Sequence, residues 1–470
     1  MVDLAIVGGG IAGLCAALRA PRGAGIVVID KGEAGAGSSP LAQGGMAAAV
    51  GPDDSVEQHA RDTLDAGVGL CDPAVVADLC GAGPEAVDWL VSLGCRFDRR
   101  ADGGLDLARE GGQRVARSVH RADATGAEIV RALREAVRER EIERIAARAT
   151  GLVVADGRCV GVQGEHGTTP ARATLLATGG AGGLWGRTTN APGATGDGLV
   201  LALAAGVTLA DLEFMQFHPT VLAIGDPQRV LLTEALRGEG AVLLDARGER
   251  FVDELAPRHV VAKAILDAGE AYLDCRSIGD VHERFPTVTA GARAFGLDPA
   301  SDLLPVSPAA HYFIGGVAAD ASGRTAMPGL FAAGECAASG MHGANRLAGN
   351  SLLETVVVGG RVGARAMSEP EPAHDGEAAP VALTLDASTA ALMWAGAGPI
   401  RTETGLRDAR SSIAARITGV ASHDDLCLAI VDAALARAET RGVHVRADAP
   451  AQDPALARRA FDRPRATVRD

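Results

Sequence analysis

The chain has no Cys-x-x-Cys pair, no long apolar run, no surplus of basic charge and few aromatic residues. Its eight cysteines, Cys15, Cys71, Cys80, Cys95, Cys159, Cys275, Cys336 and Cys427, lack metal-ligand or dithiol spacing. No zinc site or redox pair is expected, no metal is implied, and the thiols read as reduced, packed side chains. The longest apolar stretch, Leu199 to Ala210, is interrupted by Gly206 and is too short to cross a bilayer. The first residues lack the basic-then-apolar order of a signal peptide, so a cytoplasmic location is expected. With 45 basic against 59 acidic residues, the net charge of -14 argues against broad nucleic-acid or anionic-membrane binding. An anionic substrate would need a locally basic pocket.

What is present is glycine. There are 61 in 470 residues, in a chain that is 47% apolar, which fits an α/β protein of two or three domains built around glycine turns. Leu4 to Val7 reads as a strand, Gly8-Gly9-Gly10-Ile11-Ala12-Gly13 as a tight turn, and Leu14 to Leu18 as the start of a helix. Gly8 permits the turn, Gly10 lets backbone approach a pyrophosphate, and Gly13 lets helix pack on strand. A second strand, Ile26 to Ile29, ends at Asp30, placed to accept hydrogen bonds from a ribose. Farther along, Asp123 to Glu128 precedes a helical face of Ile129, Val130, Leu133 and Val137, with Thr125 and Glu128 spaced as a capping box.

Leu175-Leu176-Ala177-Thr178-Gly179-Gly180 and Gly329-Leu330-Phe331-Ala332-Ala333-Gly334-Glu335 read as two more strands, ending in a glycine turn and at an acid. An elongated cofactor crossing several strand ends explains them better than a nicotinamide nucleotide held by one βαβ unit. Between Gly340 and Glu354, small residues surround Arg346, whose fork suits a carboxylate. The alternative is an arginine packed against a helix start. This pattern resembles the FAD-binding fold of the succinate dehydrogenase and fumarate reductase flavoprotein family, and the resemblance covers nearly the whole chain. It implies a discontinuous α/β, Rossmann-like FAD-binding domain over 1–211 and 313–367, with an inserted α+β capping domain over 212–312. A linker from Ser368 to Pro380 and a helical C-terminal domain over 383–470 would follow, ending in an arginine-rich, solvated tail from Arg458 to Asp470.

Four segments carry polar groups that a core does not require. Gln216 and His218 alternate with Met215 and Phe217 before Pro219; Thr233 and Glu234 follow what reads as an apolar strand. Arg258 follows Pro257 at a helix start, where its charge is unfavourable, and His311 lies at the return from the insert. Each has a plainer reading, a satisfied core histidine or a local ion pair. The segments match the family's substrate motifs in order and spacing. The resemblance implies that His218, His311 and Arg346 bind substrate carboxylates, that Gln216, Thr233 and Glu234 complete the pocket, and that Arg258 is the acid/base residue. It further places cofactor contacts at Gly8, Gly9, Gly10, Ala12, Gly13, Asp30 and Lys31, and at Ser38, Ser39, Ala42, Gln43, Gly44 and Gly45. The remainder fall at Ala177, Thr178, Gly179, Asp197, Glu335, Asn350, Ser351 and Leu352.

Two motifs select a branch. Respiratory members of the family carry FAD on a histidine before Ala-Gln-Gly-Gly, whereas this chain has Ser38 there, which implies noncovalent FAD. The run Arg109-Glu110-Gly111-Gly112 resembles the Arg-Glu-Gly-Gly motif of the L-aspartate oxidases, in which the glutamate faces the substrate amino group. That resemblance implies oxidation of L-aspartate to iminoaspartate for quinolinate and NAD synthesis, with oxygen or fumarate as electron acceptor and quinolinate synthase as a candidate partner. Gln113-Arg114-Val115-Ala116 departs from the His- and Arg-rich run usual in those oxidases, and His259 stands where an aspartate commonly follows the arginine. The alternative enzyme is a soluble fumarate reductase or succinate dehydrogenase flavoprotein. The alternative from another class is a noncatalytic flavin-binding subunit.

Overall fold

Leu4 and Ile6 point to one side of the first strand and Ala5 and Val7 to the other, and all four are buried in separate apolar clusters. A strand buried on both faces belongs in the middle of a parallel sheet covered on both sides. The computed structural model describes residues 1–32, 37–224 and 230–462. The elements that position the site begin with β1 (Val2–Val7), α1 (Ile11–Arg19), β2 (Ile26–Asp30) and α2 (Thr125–Glu139). Next come β3 (Glu143–Ala146), β4 (Ala149–Ala155), β5 (Arg158–Gly164), β6 (Gly167–Leu176) and β7 (Met215–Leu222). They continue with α3 (Glu234–Gly238), β8 (Val242–Asp245), α4 (Arg258–Ala268), β9 (Ala271–Asp274) and β10 (Leu304–Phe313). The last are β11 (Leu330–Ala332), α5 (Asn350–Arg365), α6 (Ala387–Ala397), α7 (Glu403–Ala414) and α8 (His423–Ala436).

β1 lies between β2 and β6 in parallel, and β11 adds to β6, also in parallel, after a long excursion. The register aligns Val7 with Ile29 and Leu176, and Leu176 with Ala332. Four strands therefore end together and deliver Gly8, Asp30, Ala177 and Ala333 to one sheet edge, where ligands of open α/β sheets bind. α1 and α5 cover one face at unusually close range. A Cβ on Gly359 would come 2.5 Å from the Ala12 carbonyl oxygen, and one on Gly363 2.0 Å from that of Ala16.

Within the excursion, β7, β10, β9 and β8 form an antiparallel sheet with its own apolar cluster. Gln216 pairs with Tyr312 and Phe217 with Ala310, so His311 is the extra residue of a bulge. No helix among the described residues is long and apolar enough to cross a membrane.

Several expectations need correcting. Thr125 is the first residue of α2 and makes no cap; its hydroxyl accepts from Arg121 N, while Glu128 accepts from Arg96 N and pairs with Arg131. Backbone amides claim both capping groups, and Arg131 claims Glu128 as well. Leu231-Leu232 is not a strand: only Leu231 bridges, to Val221, and Thr233 instead caps α3 by accepting from Ala235 N. The stretch from Ser368 to Pro380 is docked, because buried Glu369 pairs with Arg158 and Arg324, and Glu377–Ala378 adds a strand to β4. The described start of the basic tail is docked too. Arg459 pairs with Asp211 and Phe461–Asp462 pairs with Leu209–Ala210, whereas 463–470 lie outside the described residues. Met393, Leu406, Ile413 and Ile430, from α6 to α8, share one apolar cluster with Ala5 and Val7 rather than forming a core of their own.

The α1–α5 contact yields a stability prediction. Gly363→Ala should overpack against backbone and cost about 1–3 kcal/mol. Gly360→Ala, whose new Cβ would meet only the flexible Arg19 side chain at 3.2 Å, should be neutral or stabilising by up to about 1 kcal/mol. Thermal denaturation of both variants checks this, and equal losses would contradict the apposition.

Candidate active site

A cleft of about 750 Å³ runs along the aligned strand ends and under the antiparallel sheet. At one end α1 starts with no cap from the residue before it and no acid in its first turn, so apart from Ile11 N, which donates to Ser39, its first-turn amides are suited to a pyrophosphate. Gly9 and Gly13 bring main chain close: a Cβ on Gly9 would meet the Asp30 carboxylate at 2.5 Å, and one on Gly13 the Gly8 carbonyl oxygen at 2.1 Å. Asp30 lines the cleft beside Lys31, whose ammonium donates to Gly193 O and to Asp197. Ser38 and Ser39 accept from Ala191 N and Ile11 N, so both hydroxyl oxygens tie the wall together. α5 also begins at the cleft without a capping side chain, and Ser351 and Leu352 line it.

The fit to an elongated dinucleotide is supported by polar atoms left over in the wall. Gln43 donates through its amide to Leu231 O, but its Oε1 is buried without a partner among the described residues, as is Asn190 Oδ1. Buried acceptors of this kind call for a donor. Glu335 accepts from Phe313 N, and burial pushes its carboxyl up to about 7, so it can donate or accept. Most of the expected cofactor residues line the cleft: Gly8, Gly9, Gly10, Ala12, Ala42, Gly44, Gly45, Ala177, Thr178 and Gly179 are all there. Three stand behind it. Gly13 makes the helix–strand contact, Asp197 is buried between Lys31, Arg148 and His423, and Asn350 bonds His59 and Thr63.

The other end is basic. Gln216 Oε1 accepts from Arg258 Nη1 at 2.8 Å and from Arg346 Nη2 at 3.0 Å, so one amide oxygen joins two guanidinium groups. Gln216 itself does not line the cleft; it positions the two that do. Arg258 also donates to Glu234 at 2.6 Å, and Arg237 approaches the same carboxylate oxygen at 3.5 Å. Burial opposes ionisation of Glu234, but Arg258 and Arg237 outweigh it and hold the group at about 2. The partners of Arg346 are neutral oxygens, on Gln216 and Ser351, and its guanidinium lies 4.5 Å from the Tyr312 ring centre. Burial first, and Arg258 second, lower it to about 10. A buried guanidinium with only neutral partners is suited to take a carboxylate from a ligand.

His218 and His311 stack edge-on with ring centres 5.1 Å apart, and Thr189 Oγ1 lies 2.8 Å from His311 Nδ1. Burial, reinforced by Arg258, holds both imidazoles well below their usual range, so each enters the cleft neutral. Glu110 accepts from Gly45 N at 2.9 Å. Burial and the neighbouring Glu234 raise its carboxyl, while Gly45 N, Arg258 and Ser118 pull it down. The loop with Arg346 is backed by the C-terminal segment, where Val443 N donates to Ala344 O and Arg441 to Val68 O.

The cleft thus brings together Glu110, His218, Thr233, Glu234, Arg258, His311 and Arg346 from separated segments. Sequence reasoning missed the roles of Tyr312, Thr189 and Gln113. Tyr312 carried a faint signal, being one of two tyrosines and adjacent to a chosen histidine; Gln113 stood out only as a departure from the oxidases' usual run, and Thr189 carried no signal.

Residues 3–352 match the model of the FAD binding domain family. The chain is 43% identical to the L-aspartate oxidase of Streptomyces coelicolor, over 97% of this chain and 90% of that one. It is 44% identical to that of Mycobacterium leprae, over 97% and 94%. Among solved structures, an E. coli quinol fumarate reductase chain superposes with a TM-score of 0.86 at 30% identity, covering 97% of this chain and 93% of that one. Together with the glutamate facing a basic, dinucleotide-sized cleft, these matches establish that the chain belongs to the L-aspartate oxidase family, within the FAD-dependent succinate dehydrogenase and fumarate reductase flavoproteins.

Proposed function

We propose that this chain oxidises L-aspartate to iminoaspartate with FAD held noncovalently, passing the electrons to oxygen or to fumarate, as the first step of quinolinate and NAD synthesis. The observation that carries this reading is Glu110, a carboxylate in the wall of the basic end of the cleft that accepts from Gly45 N, whereas the other carboxylate there, Glu234, is already paired with Arg258. An ammonium beside two carboxylates matches that charge pattern; a plain dicarboxylate leaves Glu110 unmatched. FAD, bound along the strand ends, supplies the two-electron acceptor for the hydrogen leaving the substrate α-carbon.

The chain's own residues position and handle protons. Arg346 takes one substrate carboxylate as a fork, and neutral His218 and His311 each offer an N–H to the other, with Thr189 fixing the orientation of His311. Glu110 orients the ammonium, and its raised affinity for protons suits it to receive the one released as the C=N bond forms. Arg258 serves the opposite direction, delivering a proton to carbon when fumarate is reduced. Its Nε bonds Glu234, which in turn contacts Arg237, so a proton given up at the cleft has a charged path for replacement. The antiparallel sheet, which carries His218, His311 and Tyr312, acts as the cap over residues 212–312, with the FAD-binding domain made of 1–211 and 313–367. A cytoplasmic site of action and contact with quinolinate synthase complete the proposal.

Acid precipitation of the holoenzyme should release FAD into the supernatant, because Ser38 offers no histidine nitrogen for a covalent link; yellow colour in the washed pellet would contradict it. Arg258→Leu should keep FAD, since Arg258 belongs to α4 and not to the strand-end turns. Fumarate reduction by that variant, followed with a chemically reduced enzyme, should fall by about 100-fold or more. The two enzyme readings separate at Glu110. Glu110→Gln should depress aspartate oxidation steeply while fumarate reduction stays comparable, so the ratio of the two rates is the quantity to measure; an unchanged ratio contradicts the proposal.

A further inference from the structure

Gln113 lies three residues after Glu110, is 2% exposed and does not touch the cleft. Its side-chain amide is satisfied at both ends. Oε1 accepts from Glu110 N at 2.9 Å, and Nε2 donates to Ser118 Oγ at 3.0 Å and to Ala348 O at 3.3 Å. Its backbone closes the same turn, with Gln113 N donating to Glu110 O at 3.1 Å and Arg109 Nε donating to Gln113 O at 2.8 Å.

The direction of these bonds matters. Ser118 Oγ accepts from Gln113 Nε2 and lies 3.4 Å from Gln113 Oε1, to which it can donate, and the same hydroxyl is one of the groups that favour the ionised Glu110 carboxylate. Ala348 stands next to Gly349, the residue just before α5, and two residues after Arg346. One buried amide therefore ties the Glu110 backbone, the hydroxyl that serves its carboxylate, and the loop of the carboxylate-binding arginine. The neighbouring residues of the run are anchored separately, Arg114 and Arg117 both pairing with the buried Asp62.

We propose that Gln113 is a positioning residue for substrate choice, fixing the Glu110 carboxylate relative to Arg346 so that amine-bearing dicarboxylates are preferred over plain ones. This rests on the reading that Glu110 meets the substrate ammonium. A side chain that cannot both accept and donate leaves Glu110 N or Ala348 O unpaired in a buried place. The Arg346 guanidinium keeps its own bonds to Gln216 and Ser351 and so holds its place without that amide.

The test compares wild type, Gln113→Leu, Gln113→Glu and Gln113→His as FAD holoenzymes. It measures the KM for L-aspartate and the inhibition constant of succinate, which has the two carboxylates and no amine. Gln113→Leu should raise the aspartate KM by about tenfold or more and move the succinate constant by no more than about twofold. Gln113→Glu, which keeps the acceptor but loses both donors and adds like charge near Glu110, should show the same selective loss and serves if the leucine variant does not fold. Gln113→His retains a ring acceptor and a ring donor and should recover most of the preference. Equal losses for both ligands, or no loss for either, would overturn the inference. Glu110→Gln measured in parallel separates the two claims: if it shifts the aspartate-to-succinate preference and the Gln113 variants do not, only the role of Gln113 fails. If it leaves that preference unchanged, the reading of Glu110 itself fails.

Discussion

Two guanidinium groups, that of Arg346 buried and that of Arg258 nearly so, face one amide oxygen and set the terms for the whole site. Arg258 arrives on a helix that packs against the antiparallel sheet, Arg346 on a loop beside the parallel sheet, and Gln216 on the strand between them. Their mutual repulsion is relieved on one side by Glu234 and left unrelieved on the other. That asymmetry leaves Arg346 as the cation without an acidic partner; together with burial, the larger cause, the positive charge keeps the two histidines neutral, and it allows a second carboxylate, Glu110, in the same cleft.

A site of this kind is costly to the folded state, since each buried ion loses hydration. The compensation is geometric. Close main-chain contacts along α1 and α5, a continuous core beneath the C-terminal helices, and ion pairs between Arg437, Glu213, Glu439 and Arg441 brace the walls from behind. The described part of the C-terminal segment contributes no group to the cleft and reaches the loop of Arg346 through a main-chain bond from Val443 N to Ala344 O. Ordering the ligand groups in advance is the means by which such an enzyme gains rate, because the redox chemistry belongs to the cofactor.

What the sequence disclosed was local. The glycine turn, the acid after β2, the strand at Leu175, the arginine loop and the glutamate motif each occupy a few consecutive residues whose chemistry is legible on its own. What it concealed depends on register between distant segments. The bulge that turns His311 toward His218 exists only in the pairing of β7 with β10, Thr189 reaches His311 from more than a hundred residues away, and Gln113 matters only because Ala348 lies beside it. Competition misled in the same way. Thr125 and Glu128 have the spacing of a capping box, but backbone and arginine partners elsewhere claim both. A basic tail reads as solvated until Asp211 appears opposite Arg459.

β11 joins the parallel sheet beside β6, yet the chain between them includes the entire antiparallel sheet. During synthesis β1, β2 and β6 can associate early, while the flank of β6 that receives β11 stays bare until residue 332 emerges, a delay of order ten seconds at ribosomal rates. An exposed strand edge is a template for unwanted pairing over that interval. The shortness of β11, three residues, limits the length of that hazard. The same ordering means that Glu335 and the start of α5 complete the cofactor cleft last, so a nascent chain can hold the pyrophosphate turn long before it can hold the whole dinucleotide.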